Sequence, residues 1–111
     1  MGFLVSFNRK LYLTNYIHTL ETQLNDRTSL KLQATNDITK LNSQISDIGN
    51  PDSPAVKKLE ARKVELENFE KKIDVEIQKI QTQLQAANTE IQSADQMLQQ
   101  NIQRSFSYKA G

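Results

Sequence analysis

A chain of 111 residues that is 37% hydrophobic and 6% aromatic has room for one domain but too little apolar content for a large round core, and 3 Gly and 2 Pro are too few turn formers for a multi-stranded sheet. Its 14 Lys and Arg against 13 Asp and Glu leave a formal net charge of +1, which gives no footprint for wrapping a phosphate backbone, so nucleic acid is not expected as a partner. The absence of Cys removes disulfides, thiolate zinc sites, iron–sulfur clusters and a Cys nucleophile, and no run approaches the ~20 apolar residues of a membrane span.

The opening Met1-Gly2-Phe3-Leu4-Val5-Ser6 fits the loose myristoylation pattern. A bulky Phe3 beside Gly2 and the lack of a polybasic second signal favour instead a helix face carrying Phe3, Leu4, Phe7 and Leu11, and membrane-surface binding is not expected. The same residues lack the basic flank and length of a cleaved signal peptide, so the expected location is the cytoplasm, or outside it by export without such a signal. Apolar residues then step by three and four along Leu13, Ile17, Leu20, Leu24, Ala34, Ile38, Leu41, Ile45 and Ile48, with Arg27 and Lys31 holding the register. That spacing keeps one stripe of a helix facing a partner and predicts a first arm over about 3–48.

Every residue of Gly49-Asn50-Pro51-Asp52-Ser53-Pro54 carries a turn or cap signal. Gly49 can adopt the left-handed conformation that closes a helix, Pro51 cannot continue it, Ser53 can accept from orphan amides, and Pro54 suits the first position of a new helix. A turn over 49–53 follows. The second ladder runs Val56, Leu59, Lys63, Leu66, Glu70, Ile73, Ile77, Ile80, Leu84, Ala87, Ile91, Ala94 and Leu98, predicting an arm over about 54–106 and a short tail over 107–111. So short a turn makes the arms antiparallel, and the whole chain is expected to be an all-α, two-helix coiled-coil hairpin.

Residue numbers within a layer should then sum to about 104, which stacks Ile48 on Val56, Ile45 on Leu59, Leu20 on Leu84 and Leu13 on Ile91. The seam cations Arg27 and Lys31 fall within a turn of Glu70 and Asp74, an opposite-charge cluster expected to fix register. Outside the seam remain Leu30, Leu32, Phe69 and Val75 along the arms and, concentrated toward the end where the termini meet, Tyr12, Tyr16 and the candidate association surface of Phe3, Leu4, Phe7, Leu11, Met97, Ile102, Phe106 and Tyr108. From Gln78 onward the polar face changes from Lys and Glu to Gln, Asn, Ser and Thr, side chains suited either to solvent or to hydrogen bonds with a neighbouring chain.

Catalytic chemistry finds little support. His18 is the single histidine and has no ligand-spaced neighbours, and the carboxylates between Glu60 and Glu76 alternate with Lys and Arg in the pattern of solvated i,i+4 pairs. There is no Gly-rich phosphate loop and no nucleophile elbow, so neither a cofactor nor a metal is expected.

The Pro51-Asp52-Ser53-Pro54 turn and the closing Ile102-Gln103-Arg104-Ser105-Phe106 resemble the needle subunits of bacterial type III secretion systems, small helical hairpins with a Pro-x-x-Pro turn and a C-terminal helix ending near an Ile-x-x-Phe-like segment. The resemblance implies that Pro51 and Pro54 sit at the hairpin head and that Ile102 and Phe106 pack between neighbouring subunits. Both arms here are longer than in that family, and Ser107 to Gly111 extends past its usual terminus. The hairpins of type VII secretion carry a Trp-x-Gly turn, and this chain has no Trp. The functional expectation is a non-enzymatic structural or assembly protein that binds copies of itself or a helical partner; the alternative is a monomeric adaptor or chaperone-like stalk that binds one other protein.

Overall fold

The computed structural model describes the backbone of residues 2–110 and the side chains of all of these except 105 and 108–110. The side chain of Tyr108, expected on the association surface, and the whole of Met1 of the acylation pattern therefore lie outside what is described. The fold is an all-α hairpin of two antiparallel helices, α1 over Gly2–Ile48 and α2 over Pro54–Ala110. Neither helix has Gly or Pro in its interior, so nothing interrupts the i to i−4 ladder. For the same reason α2 runs through the expected tail to Ala110: no breaker stands between Pro54 and Gly111.

The turn is built as its residues dictate. Gly49 has φ 77° and its N–H donates to the Ile45 carbonyl at 3.1 Å, the single-bond closure of a left-handed helix cap. The Asn50 side-chain oxygen accepts from the Asp52 N–H at 3.1 Å while its carbonyl accepts from the Ser53 N–H at 3.1 Å, which turns the chain through Pro51 and Asp52. Ser53 then caps α2, its Oγ accepting from the Ala55 N–H at 3.2 Å and its carbonyl from the Lys57 N–H at 3.0 Å, with Pro54 at the first helical position.

The chain forms two compact units, one from Leu24–Lys79 and one from Met1–Gln23 together with Ile80–Gly111. In the turn unit, Ala34, Val56 and Ile73 are buried and Ile38, Leu41, Ile45, Leu59, Leu66 and Ile77 are half-buried. Ile48 is the exception to the expected stacking: it is exposed although Val56 is buried. It stands in the last turn of α1, where no further helix covers its outer side. In the terminal unit, Leu13, Leu20, Ile80, Ala87 and Ala94 are buried, with Ile17, Leu84, Ile91 and Leu98 half-buried between them. No described side chain is sealed off completely, as expected where each helix has one neighbour.

Candidate association surface

The mid-arm charges lie in the turn unit. Lys31 Nζ stands 2.6 Å from Asp74 Oδ1, and the Arg27 Nε donates to Glu76 Oε2 at 2.7 Å. Glu70 accepts instead from the Thr35 hydroxyl at 2.7 Å. Each of these pairs lies within one residue of the expected register, but the expected cluster is resolved into separate pairs in which Arg27 takes Glu76 rather than Glu70 or Asp74. The Asp74 hydrogen bond, then the Asp74 charge and more weakly that of Glu70, hold the Lys31 ammonium above the usual lysine range against the opposing effect of burial. The pair is about two-fifths exposed and therefore orders the register more than it stabilises the fold.

The terminal unit has another character. Of the chain's 27 charged residues only Arg9, Lys10, Glu21, Glu90, Asp95, Arg104 and Lys109 belong to it, although it holds half of the residues. Four of these seven cancel in two pairs, Arg9 with Glu90 at 3.0 Å and Lys10 with Asp95 at 2.7 Å. Exposed large hydrophobes are dense here: Phe3, Leu4, Val5, Phe7, Leu11 and Tyr12 on α1, and Met97, Ile102 and Phe106 on α2. The seam beside them is small and polar. Ser6 is 6% exposed and its Oγ accepts from Asn101 Nδ2 at 3.1 Å, and a Cβ placed on Gly2 would come within 2.9 Å of the Asn101 side chain. Gly2, Ser6 and Asn101 thus let the helices approach closely while the large apolar side chains of the first three turns of α1 face outward.

Sequence reasoning missed Ser6 and Asn101. The available signal was the heptad itself, because Ser6 precedes Leu13 by seven and Asn101 follows Ala94 by seven, so both occupy seam positions.

The two ion pairs divide the terminal unit into two faces. Arg9 and Lys10 are consecutive, so they stand about 100° apart around α1 and straddle the seam marked by Ser6 and Leu13. On the Arg9 side an open groove is lined by Val5, Arg9, Glu90 and Met97, with Ser6 and Ala94 in its floor. On the Lys10 side, Phe3 is seven residues before Lys10 and Ile102 seven after Asp95, which places both on the face of that ion pair. Phe7 and Leu11 continue it at i+4 steps, Leu4 borders it, and Phe106 follows Ile102 by four. The rings of Phe3 and Phe7 are stacked 6.1 Å apart at 9°, an apolar ridge along this face. On the groove side, Tyr12 follows Val5 by seven and stacks on Tyr16 at 6.3 Å.

Among the described residues no three His, Cys, Asp or Glu are grouped so as to hold a metal ion, and no helix is long and apolar enough to cross a membrane. No family model matches the chain, and neither a curated protein nor a solved structure matches it.

Proposed function

We propose that this chain is a non-enzymatic structural or assembly protein whose terminal unit packs against copies of itself or against a helical partner. The observation that carries the reading is the inversion in that unit: Ser6 and Asn101 occupy the seam while Phe3, Phe7, Ile102 and Phe106 are exposed. Turning large apolar side chains outward while a polar pair sits between the helices costs stability in an isolated hairpin and is recovered when a partner covers them. Depletion of charge around such a patch, with aromatics and Met enriched, is the composition of an interface core. The resemblance to needle subunits gives this reading one specific form, hairpins packed side by side with Ile102 and Phe106 between neighbours.

Sedimentation velocity of the full chain over a wide concentration range tests it, with negative-stain microscopy of any heavy fraction. A discrete oligomer or filaments are expected, reduced by Ile102→Ser and Phe106→Ser. A second reading, a monomeric adaptor that binds one other protein, is favoured by the open groove between Val5 and Met97, a partly apolar depression of the kind that partner segments occupy. A monomer at every concentration would select it over self-assembly.

A further inference from the structure

We draw no further inference here: the strongest candidate, the exposed apolar surface patch of Phe3, Phe7, Ile102 and Phe106 on the terminal unit with the Val5–Met97 groove across the seam from it, carries nothing beyond the proposed function because nothing in the structure shows what covers either face.

Discussion

Ile73 lies in the seam of the turn unit at 4% exposure, two positions from Val75, which is 66% exposed on the same helix. Replacing Ile73 by Ala removes three carbons from an apolar environment, about 2.4 kcal/mol at ~0.8 kcal/mol each. Alanine is the better helix former and returns about 0.4 kcal/mol. A two-helix seam lets neighbours close over the gap, so the cavity contribution stays at the low end of the usual range and the net loss is about 2 kcal/mol. In a chain of this length that lowers Tm by roughly 10 °C. Val75→Ala loses little burial and gains the same propensity, so its expected change is within about 0.3 kcal/mol. Urea or thermal unfolding followed by circular dichroism, at a concentration where sedimentation shows a single species, measures both. Equal shifts for the two variants would refute the assignment of the seam, and with it the register from which the two faces of the terminal unit are built.

Gly49→Ala is expected to cost about 1 kcal/mol, with Gly49→Asn milder, because φ 77° is strained for a side chain with a Cβ; denaturant unfolding checks the order. Ser53→Ala should remove about 1 kcal/mol of cap stabilisation in the same assay. Ser6→Ala and Asn101→Leu each leave a polar partner unsatisfied and should destabilise singly, while the double variant recovers most of the loss, which a double-mutant cycle resolves. Because the Lys31 pKa is raised in the folded chain, its contribution is complete below the ordinary lysine value of 10.5 and is lost as pH climbs through the raised value. Unfolding scans between about pH 6 and 9 should therefore show no change from this group, and the exchanged pair Lys31→Asp with Asp74→Lys should recover the Tm that either substitution alone lowers.

The seam was legible in the sequence because helical packing reads only the position of apolar groups modulo seven. Each member of the second ladder from Val56 to Leu98 is buried or half-buried, including Lys63 and Glu70, whose stems share the stripe. The first ladder holds from Leu13 to Ile45 and fails at Ile48 for want of a covering turn. A search for apolar steps stops at Leu13 and Leu98, so it passes over Ser6 and Asn101, which continue the same positions with polar atoms. Partner choice among the charges was also out of reach, since a heptad position fixes a layer but not how far a side chain extends. Arg27 reaches Glu76, and Glu70 is taken by Thr35. The exposure of Phe3, Leu4, Phe7, Leu11, Met97, Ile102 and Phe106 followed from their places outside the ladders. Their division into ridge and groove needed the ion pairs that flank the seam.

A single reversal of the chain at Gly49 also sets the order in which the molecule can assemble. The cross-helix side-chain bonds join residues 35 apart at Thr35–Glu70, 49 at Arg27–Glu76, 81 at Arg9–Glu90 and 95 at Asn101–Ser6. Closing the last of these directly from the unfolded chain costs about 1 kcal/mol more loop entropy than closing the first, whereas each is a short step once its predecessor has formed. Folding therefore zips outward from the capped turn, and the residues that reach the end of that path last are the outward-facing phenylalanines. Amide exchange should run in the reverse sequence, fastest near Gly2 and Ile102 and slowest around Ile73, so the apolar ridge belongs to the part of the chain that opens at least cost.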